Sequence, residues 1–142
     1  MVNTEVAPDK IAAYHSTHYR IGSGTAIITL QIGEYAPKLQ IVFQNSNHLC
    51  GVVITAYNPF GETRDHDTNL AAHKRLGEHL YALAPVVMEA EGADPTGMWP
   101  PEPSFFALGI DRNTARLLGT QYRQDAVVWV GANAVPELIL LR

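Results

Sequence analysis

The sequence predicts an α/β fold of mixed α+β character: one domain with a mixed sheet of five to six strands and about three helices. Two observations predict it. Short β-branched runs such as Val52-Val53-Ile54 alternate with segments of helical spacing. A length of 142 residues, with no repeat, low-complexity tract or dividing linker, fits one domain over residues 1–142.

The elements read in the order β-α-β-α-β-loop-β-α-β-β behind an N-terminal arm over 1–22, in which Pro8 to Tyr14 form a short helix and Thr17 to Ile21 turn extended. Gly22-Ser23-Gly24 reads as a turn. Thr25 to Ile32 is β-rich and partly alternating, a strand ended by Gly33. Lys38 to Asn45 is ambiguous between helix and strand; Ala36-Pro37 as a start and Asn45-Ser46-Asn47 as an end favour a helix. Gly51 to Ala56 is the clearest strand. Asp65 to Leu83 is the clearest helix, capped by Asp65 or Asp67, with Asn69, His73, Leu76, Leu80 and Leu83 on one face. Val86 to Ala90 is the next strand. Gly92 to Pro103 is rich in proline and glycine and reads as the core of a long loop over 91–103. Ser104 to Ile110 is a strand, and Asp111 caps a helix to about Leu118 that Gly119 stops. Ala126 to Val130, a hairpin turn over 131–134 and Val135 to Leu141 complete the chain.

Chain direction adds a geometric expectation. A strand-helix-strand passage returns the chain in the same direction when both strands share a sheet. Strands 25–32, 52–56 and 86–90 then run one way, and 104–110 and 126–130 run together. If the 91–103 loop reverses the chain, the two sets oppose each other. Thr55, Asn58, Asn69, Asp94, Trp99, Glu102, Ser104 and Gln124-Asp125 are then gathered at one rim of the sheet.

An apolar fraction of 46%, a charged fraction of 17% and a net charge of −4 describe an ordinary globular protein. The basic residues are scattered, so no nucleic-acid partner is expected. Met1 to Lys10 has no secretory character and no stretch is apolar for long enough to span a membrane, so a cytoplasmic protein is expected. Cys50 is a single thiol with no basic neighbour and reads as packing. His15 and His18, and Asp65-His66-Asp67, lack a metal-site spacing with a mechanical rationale, so no metal or other cofactor is expected. Arg64 stands beside a helix start already supplied with Asp65 and Asp67, which disfavours an anion there.

The polar rim residues each carry a structural and a functional reading. Asn58-Pro59 is a turn signal first. Asn69 opens an apolar helix face and so points inward, where an amide most often satisfies backbone. Gln124 reads the same way, and Trp99 reads first as a lid over the core. Glu102, held between Pro101 and Pro103, is the best candidate for a general base or a ligand acceptor.

The succession Tyr14, Thr17, Tyr19, then Ile54-Thr55-Ala56-Tyr57-Asn58-Pro59, Asn69, Leu76, Trp99, Glu102-Pro103-Ser104 and Gln124-Asp125-Ala126 resembles a bacterial family, domain of unknown function 3293. Two features depart from its pattern: Tyr57 stands where a tryptophan is usual, and a proline pair lengthens the loop before Glu102. The resemblance implies that Thr55, Asn58, Asn69, Trp99, Glu102, Ser104 and Gln124 belong to the family pattern, and it implies no reaction type. Two functions are then open. One is a small-molecule site at the rim, with those seven residues binding the ligand. The other is a protein-interaction or self-association module, giving a homo-oligomer, in which the same residues are structural and the apolar strand Leu138-Ile139-Leu140-Leu141 supplies the contact.

Overall fold

A computed structural model describes residues 4–22 and 24–142. Along the chain come helix α1 (Pro8–Ser16), strands β1 (His18–Ile21) and β2 (Ile28–Leu30), helix α2 (Pro37–Ser46), strand β3 (Gly51–Ile54) and helix α3 (His66–Leu83). Strands β4 (Val86–Ala93) and β5 (Glu102–Leu108), helix α4 (Arg112–Gln121) and strands β6 (Ala126–Val130) and β7 (Pro136–Leu140) follow. The strands form one sheet in the order β2-β1-β4-β5-β3-β6-β7.

Every neighbouring pair is antiparallel, so this is an α+β domain and the expected mixed sheet is corrected. The expected directions nevertheless stand. β2, β3 and β4 run one way, and β5 and β6 run the other. A helical crossover fixes strand direction but not adjacency. Here β5 lies between β4 and β3, and β1 lies between β2 and β4, so no two like-directed strands touch. The residues read as an arm therefore supply a sheet strand, with Tyr19 opposite Leu30 on one side and Gly92 on the other.

Three boundaries also change. The strand expected over 25–32 is a 3₁₀ turn at Gly24–Ala26 followed by the short β2, and Ser23 of the preceding turn lies outside the described residues. The loop expected over 91–103 shortens to 94–101, because Gly92 pairs with Glu102 and Glu91 with Pro103. Proline in an inner strand argues for a loop. It is tolerated here because β3 ends opposite Phe105, and the Thr55 hydroxyl donates to the Pro103 carbonyl at 2.8 Å. Finally, Gly119 does not stop α4, which runs on to Gln121. Gly119 is buried against Leu141 and Val127, so its lack of a side chain serves helix–sheet contact.

Alternation along the strands divides the core. Val53, Phe106 and Val128 face one side with Tyr19, Ile21, Leu30, and Leu39 and Phe43 of α2. Val52, Ile54, Phe105, Ala107 and Val127 face the other, packed by Leu76 and Leu80 of α3 and by Ala115 and Leu118 of α4. Leu83, expected on the buried face of α3, is the last residue of the helix and is 55% exposed. The sheet curls into a half-barrel. Gly33 N donates to Pro136 O at 2.9 Å and Ala36 N to Ala134 O at 2.8 Å, which brings the segment after β2 against the start of β7. Leu138 of β7 packs on the inner cluster, Ile139 of β7 and the following Leu141 pack on the outer one, and the half-buried Leu140 belongs to neither.

Candidate functional site

The inner face of the half-barrel turns polar and small toward one end. On β5 the sequence of inward side chains is Phe106, Ser104, Glu102; on β3 Val53 is followed by Thr55; on β6 Val128 is followed by Ala126, with Gln124 beyond it. Apolar packing gives way to a cavity of about 460 Å³. Gly92 of β4 lies between Tyr19 and Glu102 and leaves this space open. The roof is one face of α1, where Lys10, Ala13, Tyr14 and the following Thr17 recur at helical spacing. Tyr57 and Trp99 complete the wall at the open end.

The cavity holds two acids in different states. Asp125 is buried and salt-bridged to Lys10, and it also accepts from Arg142 Nε at 2.5 Å. Burial works against its charge, but these two cations hold its carboxyl below the usual range. Glu102 has no ion-pair partner among the described residues. Burial pushes its carboxyl up to about 7, with Thr55, Asn58 and the more distant Lys10 opposing the rise. Burial likewise raises the phenols of Tyr14 and Tyr19 well above their ordinary range. Ser104 is 4% exposed, and its hydroxyl has no hydrogen-bond partner. A buried hydroxyl left in that condition beside a cavity is an unfilled contact.

The rim is held by a clasp between two amides. Asn69 Oδ1 accepts from Asn58 N at 2.9 Å, and Asn69 Nδ2 donates to Asn58 Oδ1 at 2.8 Å. Asn58 Oδ1 also accepts from Arg64 N, so only its NH₂ remains for Glu102. Asn58 is left-handed (φ 45°) although proline follows it, a disfavoured conformation that the clasp maintains. Gln124 Nε2 donates to the Tyr57 and Tyr122 carbonyls, both at 3.2 Å, which ties the start of β6 to the end of β3.

Of the seven residues proposed from the sequence, Thr55, Asn58, Trp99, Glu102, Ser104 and Gln124 line one cavity. Asn69 does not; it stands behind Asn58 and positions it. Glu102 differs from expectation in lying on a strand rather than in a loop, which makes its position more rigid. Asp94 organises its own turn by accepting from Thr96 N and Met98 N, and it is not part of the cavity. Asp65 caps α3 by accepting from Thr68 N at 2.7 Å, and among the described residues no three metal-ligating side chains converge. Burial raises the half-buried Cys50 thiol. Lys10, Tyr14, Thr17 and Tyr19 were not placed at the site from the sequence. The 10/13/14/17 spacing was the available signal, but it marks a helix face without saying what that face covers.

A family model described as "Protein of unknown function (DUF3293)" matches residues 54–127. The chain belongs to the DUF3293 family. The matched segment runs from the last residue of β3 into β6 and contains all seven proposed residues, whereas α1 and β1 lie outside it. No curated protein and no solved structure matches the chain. No helix among the described residues is long and apolar enough to cross a membrane.

Proposed function

We propose that this DUF3293 protein is a small-molecule-binding domain whose ligand occupies the cavity beneath α1, anchored by Glu102. The observation that carries the reading is the pairing of a 460 Å³ cavity with two polar groups that a ligand can complete: the Ser104 hydroxyl, buried without a hydrogen-bond partner, and the half-buried Glu102 carboxyl, which Thr55 and Asn58 approach but which no cation pairs among the described residues. Cavities of this size, mostly apolar with a few convergent polar groups, suit small organic ligands. Binding is favoured over catalysis because no base is hydrogen-bonded to Ser104, which leaves it unactivated as a nucleophile. Glu102 has a proton affinity suited to acid–base work, and a reacting ligand would make it the proton carrier. The test is a thermal-denaturation screen against a panel of metabolites, since a ligand of the folded state raises its apparent stability. The proposal expects at least one compound to stabilise the wild type and not Ala126→Phe, whose ring grows into the cavity. A panel acting equally on both proteins would contradict it.

A further inference from the structure

The charges around this cavity point to the class of ligand, an inference that rests on the cavity being a ligand site. We infer that it takes an organic cation, a protonated amine on an apolar body, with the ammonium against Glu102 and the body along Tyr14, Tyr19, Tyr57 and Trp99.

Three observations lead there. First, Lys10, Asp125 and Glu102 are the charged residues of the lining. The Lys10 ammonium is committed to Asp125, which Arg142 also holds, so Glu102 is the one charge without a partner among them. A buried carboxylate is stable only when paired, and an anionic ligand would worsen its situation. Second, four aromatic side chains line the same space. Aromatic rings present negative faces and attract cations, most strongly where water is excluded. Third, the partnerless Ser104 hydroxyl lies two residues from Glu102 on the same face of β5, about 7 Å away along the strand. An ammonium group carries three donors and no acceptor. Placed between these side chains it donates to the carboxylate and to the serine oxygen, giving Glu102 the cation it lacks and the Ser104 oxygen a partner.

The pH response follows from the same arrangement. The groups facing Glu102 are Lys10 and Tyr14 of α1, Tyr19 of β1, and Asp125 before β6. The two phenols stay neutral, and the Asp125 carboxyl stays ionised, through neutral pH. Glu102 is then the group that titrates. With an ionisation at about 7, its charged fraction rises from about one-tenth at pH 6 to about nine-tenths at pH 8, so cation affinity rises about tenfold.

The experiment is isothermal titration calorimetry with three probes on a shared skeleton: phenethylamine (cationic), 2-phenylethanol (neutral) and phenylacetate (anionic). Wild type, Glu102→Gln and Ala126→Phe are compared. The inference expects phenethylamine to bind the wild type in preference to the other two, about tenfold more tightly at pH 8 than at pH 6. Glu102→Gln, which keeps the shape of the side chain, loses the preference and the pH dependence, and Ala126→Phe loses binding. Tighter binding of the alcohol or the acid, abolished in Ala126→Phe, overturns the cation while leaving the cavity as a ligand site. Phenethylamine binding unchanged in Ala126→Phe also overturns it. Binding of none of the three overturns the cation class, and the metabolite screen decides the ligand site separately.

Discussion

Replacing Glu102 by glutamine removes a half-buried carboxyl that no cation pairs among the described residues, and the consequence is a stability change whose sign depends on pH. The folded state holds this carboxyl at about 7, against 4.5 for an ordinary glutamate. Folding therefore favours the protonated form. Its contribution is fully present below the unfolded value and is lost as pH rises through the folded one. Between about pH 5 and about pH 8 the wild type loses about 2 kcal/mol from this group. The glutamine variant keeps the shape and has nothing to ionise. Urea unfolding of both proteins across this range should show Glu102→Gln gaining about 2 kcal/mol on the wild type by pH 8. Taking the difference removes other groups from the comparison, including His73, whose burial lowers its proton affinity and gives the opposite slope. Two profiles that stay parallel would refute the reasoning, because they would mean that the Glu102 carboxylate is already solvated or paired.

Three further substitutions test the surrounding structure. Asn69→Ala leaves Asn58 N and the Arg64 carbonyl without their partner and should cost about 2 kcal/mol in urea unfolding, with faster amide exchange over 58–64. Gly119→Ala should destabilise despite alanine's better helix propensity, since its Cβ would sit 2.7 Å from Val127 Cγ1 on a stiff β-branched side chain; a gain in thermal midpoint would contradict that packing. Lys10→Met takes one of two cations from buried Asp125 and should cost about 2 kcal/mol at neutral pH. Because Asp125 is held below the usual carboxylate range, that cost should disappear as pH falls through its folded value, when the wild type also loses the charge.

Much of the site was legible because chain direction does not depend on strand order. Glu102, Ser104, Thr55, Asn58 and Gln124 meet at one rim because β3 ends where β5 and β6 begin, and the alternation of helices and strands already implies this. Adjacency was not legible. Which strand fills each space is decided by long-range packing, such as the insertion of β5 between β4 and β3, and no local spacing records it. The short β1 reads as an arm in the sequence for the same reason, since four residues become a strand only through the partners they find. Pro103 misled in another way: its meaning depends on where β3 ends, a tertiary fact. The roof of the cavity was missed because α1 buries none of its residues fully, so no apolar stripe announces a docked helix. Gly119 shows the converse error, a local stop signal overridden by close packing.

Glu102 is a half-buried carboxyl without an ion-pair partner among the described residues, which a ligand completes, and its own titration tests this most directly. Carbon-13 NMR of the Glu102 carboxyl, followed against pH with and without phenethylamine, should give an ionisation near 7 in the free protein and one clearly below that when the amine is bound. An ionisation close to the ordinary 4.5 in the free protein, unmoved by the amine, would contradict it.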